Sequence, residues 1–156
     1  MTKEPYPVWK QLHKSLQEAL KKEVDTMREI LANLHQEELC LVMNDQGSFN
    51  RLLQERDSLM TKLNSFKKNR IDIFHALRAS LPETTGIKIE APEDLACVLK
   101  EESCETLLLK DQQKAIIERI NLQSSRNKAL ADLPSLVPIT SAAALPLLLS
   151  SSGRGT

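Results

Sequence analysis

Helical periodicity constrains this chain more than any other feature. Leu20, Val24, Met27, Leu31, Leu34 and Leu41 recur at spacings of three and four, and Glu38 fills the one vacant place. After a break at 44–48, Phe49, Leu52, Leu59, Leu63, Phe66, Ile73 or Phe74, and Leu77 continue the pattern, with Arg56 and Arg70 in its gaps. Apolar residues at that period lie on one stripe of a helix, and such a stripe must pack on another helix rather than line a sheet. The expected fold class is all-α: a long antiparallel, coiled-coil-like hairpin, a short helix, a C-terminal amphipathic helix and a flexible tail.

The divisions follow from the breakers. Tyr6, Pro7, Val8 and Trp9 form an apolar entry, with Pro7 suited to a first helical turn. Trp9 is read as a structural residue packing the open end of the hairpin, with a partner contact as the alternative. The first helix runs to about Met43 without an interrupting proline or glycine. Asn44 to Ser48 is the turn, where Asp45 or Ser48 can cap a second helix from Phe49 to Leu81, which stops before Pro82. Two long helices joined by so short a turn fold back on each other, making residues 8–81 one helical hairpin. In that register Glu38 sits opposite Gln54 to Arg56. It either bridges to Arg56 or both side chains snorkel from the seam edge.

Pro82 to Gly86 reads as a turn, and Ile87 to Ile89 alternates briefly like a strand. Ala91-Pro92-Glu93-Asp94 is a helix start, with proline in the first turn and two acids at the positive end of the dipole. Leu107, Leu108, Ala115, Ile116, Ile120, Leu130 and Leu133 give a third long stretch ended by Pro134, so that 92–133 forms a C-terminal module. Within it Asn121 to Lys128 is polar where stripe residues are expected, which reads as a helix less committed to the bundle or as a frayed end. Residues 134–156 are a tail, and 133–153 carry no charge. Three prolines and short apolar runs within them argue against a membrane-inserted helix.

Lys plus Arg equals Asp plus Glu, 21 each, so no net field draws the chain to nucleic acid or acidic lipid. An aromatic fraction of 3% and four glycines fit a helical bundle better than a pocketed enzyme. Cys40, Cys97 and Cys104 form no CxxC pair, and His13, His35 and His75 are scattered, so no metal or cofactor site is expected. Reduced thiols and the absence of an apolar leader point to the cytoplasm. No phosphate-binding glycine loop, nucleophile elbow or zinc-protease motif is present, and the expectation is a binding protein without catalytic residues.

From Leu34 to Leu77 the chain resembles the FlgN family of flagellar export chaperones. Glu38, Asp45, Phe49, Leu52, Arg56, Leu59, Leu63 and Arg70 stand at that family's positions, and Ile120, Asn121, Asn127 and Leu130 are similar to its C-terminal run. Gly47, the uncharged tail and Gln123-Ser124-Ser125 depart from it. The resemblance implies a type III secretion chaperone. Such a protein takes up a secreted filament or hook-filament-junction protein, prevents its premature assembly and delivers it to the export apparatus, with the export ATPase or gate as a further partner. On that reading Ile116, Ile120, Leu122, Asn127, Leu130 and Leu133 carry partner binding, the hairpin is scaffold, and self-association can cover the stripe when cargo is absent. The alternative is a coiled-coil, stalk-like component of a type III secretion ATPase complex, working through the turn at 44–48 and the surface near Lys67-Lys68.

Overall fold

A computed structural model describes residues 8–81, 90, 94 and 104–133. Three α-helices account for nearly all of them: α1 (Val8–Met43), α2 (Gln46–Ser80) and α3 (Cys104–Asp132). The all-helical fold class and the long hairpin expected from the periodicity are both present. The turn at 82–86, the extended 87–89, the short helix after Pro92 and the tail from 134 lie outside the described residues.

The α1–α2 connection is tighter than a five-residue turn. Asn44 adopts a left-handed backbone (φ 56°), which asparagine tolerates better than most residues. The N–H of Asp45 then donates to the carbonyl of Cys40 (2.9 Å) and that of Asn44 to Leu41 (3.3 Å), closing the last carbonyls of α1 in a Schellman pattern. Asp45 caps α2 immediately, its Oδ1 accepting from the N–H of Ser48 (3.1 Å). The second helix therefore starts at Gln46, three residues before the expected Phe49. Gly47 and Ser48 belong to its first turn because the cap is Asp45. A Cβ at Gly47 would meet only Asp45 Oδ1 at 3.9 Å, so nothing in the turn demands glycine there.

The helix α1 is the central element, with α2 packed on one face and α3 on another. Two interleaved sets of positions on α1 explain this. Leu20, Val24, Met27 and Leu34 of the stripe visible in the sequence are buried, extended by Leu16, while Leu31 and Leu41 are half-buried. Ala19, Glu23, Thr26, Ile30, Asn33 and Glu37 form a second one, also buried. One apolar core joins the three helices: Leu16, Leu20, Val24, Met27, Ile30 and Leu34 from α1 meet Leu63, Phe74 and Leu77 of α2 and Leu109, Ile116, Ile117 and Ile120 of α3. Trp9 and Leu12 pack partly buried against it at the open end of the hairpin. At the turn end a smaller cluster surrounds the fully buried Phe49, with Cys40, Leu41, Leu53 and Ala131 against it.

Polar pairs set the register. Arg56 of α2 and Glu37 of α1 form a buried ion pair, with Nη1 2.6 Å from Oε1 and side chains 4% and 1% exposed. Arg70 reaches Glu23 from α2, its Nε 2.7 Å from Oε2. Asn33 Nδ2 donates to the carbonyl of Leu52 (3.0 Å). The expected Glu38–Arg56 bridge is thus replaced by Glu37–Arg56. One residue is about 100° of helix, which turns Glu37 toward α2 and Glu38 toward α3. Burial raises the Glu37 carboxyl above its usual range, against the charge and hydrogen bond of Arg56, which lower it.

Two measurements check this account. Glu37→Leu alone strands a buried guanidinium and should cost about 3–5 kcal/mol in urea unfolding, whereas Glu37→Leu with Arg56→Met should recover most of that loss. For the turn, the hydrogen bond from Ser48 holds the Asp45 carboxyl below the ordinary aspartate range. Its stabilisation is therefore complete above the unfolded pKa and is lost as pH falls through the lower folded one. Asp45→Ala should melt below the wild type at neutral pH, with the gap closing in acid.

Candidate partner-binding surface on the third helix

The helix α3 runs parallel to α1, because its contacts advance along both chains together. Thr106 Oγ1 lies 2.9 Å from His13 Nε2, Gln113 Nε2 donates to Glu23 Oε2 (3.0 Å), and Asn127 Nδ2 donates to the carbonyl of Leu34 (2.9 Å). Glu38 takes a hydrogen bond from Gln123 Nε2 (2.6 Å) and an ion pair from Arg126 Nε (2.7 Å). Lys21 and Glu105 add a 2.7 Å pair at the surface, where screening leaves it little net value.

The inner face of α3 is unusually polar. Its buried residues are Thr106, Leu109, Lys110, Gln113, Ile116, Ile117, Ile120, Gln123, Ser124 and Asn127, of which four are apolar. Gln113, Gln123 and Asn127 are each hydrogen-bonded, while the buried Asn121 Oδ1 and Ser124 Oγ have no partner among the described residues. Gln123 also donates to Asn127 Oδ1 (2.9 Å), tying two consecutive turns together before both reach α1. The stretch 121–128 is accordingly part of the bundle and is helical throughout, instead of fraying. Its seam is made of hydrogen bonds, which apolar periodicity does not register.

The six residues expected to carry partner binding divide between two faces. Ile116, Ile120 and Asn127 are buried against α1, Leu130 is half-buried, and Leu122 and Leu133 are exposed at 72% and 58%. A partner can meet Leu122 and Leu133 directly and Leu130 in part, but can reach Ile116, Ile120 and Asn127 only if α3 leaves α1. The exposed set extends further than the sequence pattern indicated. Leu108, Ala115, Leu122 and Ala129 are all exposed and stand seven residues apart, a single line along the outer face of α3. On α1, Leu39, Val42 and Met43 are exposed at 62%, 66% and 77% near the turn. A signal for these was available: five consecutive apolar residues, Leu39 to Met43, cannot share one helical stripe, so some must face water.

No cluster of His, Cys, Asp or Glu among the described residues could hold a metal ion, and no described helix is long and apolar enough to cross a membrane. Cys104 is exposed, and Cys40 is half-buried with its thiol pKa pushed up mainly by burial. Comparison of the chain with protein-family models, with curated proteins and with solved structures found no match.

The polar seam predicts its own weak point. Asn127→Ala removes the donor to Leu34 and the acceptor for Gln123, a loss of about 1–3 kcal/mol for buried partners left unmet. Amide hydrogen exchange should quicken along the second half of α3 while the protected core of α2 stays as in the wild type.

Proposed function

We propose that the chain is a cytoplasmic export chaperone that binds a type III (flagellar-type) secretion substrate, keeps it from assembling and passes it to the export apparatus. The observation that carries this reading is the way α3 is attached. It lies mainly on one neighbour, α1, through a seam rich in amide and carboxylate contacts, and it leaves an apolar line on its outer face. Where hydrogen bonds supply much of a contact, separation costs less than from a wholly apolar seam, because water replaces the lost partners. Only Leu109, Ile116, Ile117 and Ile120 must be uncovered from the apolar core. A secretion substrate awaiting assembly exposes an apolar helical stripe, and a helix of this kind can cover it. Release must follow, so an interface of modest area suits the task.

The hairpin also supports this reading over a stalk. A shaft that works through its hairpin needs that hairpin's faces free, whereas here α1 is covered on two sides by α2 and α3. The family resemblance points the same way, through Glu38 and Asn127. Glu38 receives α3 through Gln123 and Arg126, and Asn127 bonds the α1 backbone.

The test is affinity purification of the full-length chain from its native cytoplasm, with bound proteins identified by mass spectrometry. A secreted filament or junction protein should co-purify. Leu122→Asp with Leu133→Asp, both exposed and therefore compatible with folding, should weaken that complex about tenfold or more. Recovery of the export ATPase with no secreted protein, unaffected by these substitutions, would instead establish the stalk.

A further inference from the structure

The exposed apolar residues of α1 and those of α3 belong to one surface. Arg126 of α3 and Glu38 of α1 meet at 2.7 Å, which brings the faces that carry them side by side. On α1, Val42 stands one turn beyond Glu38 and Leu39 next to it, both exposed. On α3, Leu122 and Leu130 lie one turn to either side of Arg126, and Leu133 follows at the helix end, so all three share its face. Leu122 and Leu133 are exposed and Leu130 is half-buried. A cation sits amid these apolar groups. The Arg126 side chain is 68% exposed, whereas that of Glu38 is 18% exposed, with Oε1 engaged by Arg126 Nε and Oε2 by Gln123 Nε2. We propose that this surface takes up an amphipathic helix bearing a carboxylate among its apolar residues, and that Arg126 receives that carboxylate.

Shape and charge both select this partner. A helix lying along the α1–α3 junction meets Leu39 and Val42 on one side and Leu122 and Leu133 on the other, the helix-in-groove mode of recognition. The ion pair with Glu38 uses Nε, so the terminal nitrogens of the exposed guanidinium can fork to a second carboxylate. A wholly apolar helix would instead bury that guanidinium against methyl groups, a desolvation that no hydrogen bond offsets. A lysine in the same place would meet a like charge as water leaves. Arg119, exposed and seven residues before Arg126, adds positive charge along the same edge, while Glu118 borders the other side of the Leu122 line. Asp45 and Asp132, both exposed, stand at the turn end of the surface. The partner's acid therefore belongs level with Arg126, and not at the turn. This inference rests on the reading above that the outer face of α3 receives a partner, and it adds α1 and a charge requirement to that site.

Fluorescence anisotropy on the full-length chain tests it, with a designed helical peptide of about 20 residues, roughly 30 Å long, as the probe. The peptide carries leucines on one face and a single glutamate between them; glutamine and lysine versions are the controls. The glutamate peptide should bind about tenfold more tightly than the lysine peptide. Arg126→Gln should abolish that preference, and Arg126→Lys, which keeps the charge, should retain part of it. Val42→Asp, on the other helix, should weaken the glutamate peptide about tenfold, as Leu122→Asp does. Circular dichroism melts confirm that each variant is folded. Equal binding of the three peptides overturns the proposal, as does a preference that survives Arg126→Gln or binding indifferent to Val42→Asp. A dimer that Leu122→Asp dissociates, with no peptide bound, also overturns it and gives the surface to a second copy. Co-purification of a secreted protein that Val42→Asp leaves unchanged would remove the shared surface and keep the export reading. The expected peptide preference with no secreted protein recovered would do the reverse.

Discussion

The structure depends on carboxylates buried inside α1. Glu23 and Glu37 are almost fully removed from water, and a buried charge is tolerated only where its partners are in place. Glu23 Oε2 takes Arg70 from α2 and Gln113 from α3, so one oxygen fixes the positions of both neighbours. Lys67, partly buried nearby, has its ammonium pKa lowered by burial, with Glu23 opposing the shift. Any slip of α2 or α3 by one turn would leave that carboxylate unpaired. The apolar core alone would permit such a slip, since leucine and isoleucine stripes fit one another in several registers. Specificity of register is what the polar residues add.

That division of labour bears on how a partner could be accepted. Glu37–Arg56 and the Leu63, Phe74 and Leu77 contacts hold α1 to α2 irrespective of α3. The contacts of α3 add a row of amide-to-carboxylate and amide-to-carbonyl bonds to the apolar packing of Leu109, Ile116, Ile117 and Ile120. Water or the polar groups of another helix can replace each of those bonds. The proposed chaperone action would draw on that polar row, with the hairpin held by its own contacts.

Much of the fold was legible because apolar residues at a fixed period report on packing directly. Leu20, Val24, Met27, Leu34 and Leu63 are all buried as their spacing indicates. The second stripe of α1 was not legible, because Glu23, Asn33 and Glu37 are residue types that usually face solvent. The clue lay on the partner helix, where Arg56 and Arg70 occupied seam positions and so required acids opposite. Spacing alone does not decide whether Glu37 or Glu38 meets Arg56, since both acids sit near the same level of α1; the structure gives the pairing to Glu37. The candidate surface was legible only in part: Leu122 and Leu133 face outward, but Ile116, Ile120 and Asn127 read equally well as seam or as binding residues until α1 is placed beside them.

The two-residue link at Asn44 and Asp45 also shapes how the chain comes together during synthesis. Hydrogen-bonded partners between α1 and α2 are as near as 19 residues apart, whereas those between α1 and α3 are separated by 85 to 93. Local pairings close first and distant ones later. A nascent chain can thus complete its hairpin while α3 is still in the ribosome. At that moment the side of α1 that carries His13 and Glu38 lacks its α3 partners. The molecule thus passes through a stage at which the hairpin is closed and one flank of its central helix is still open.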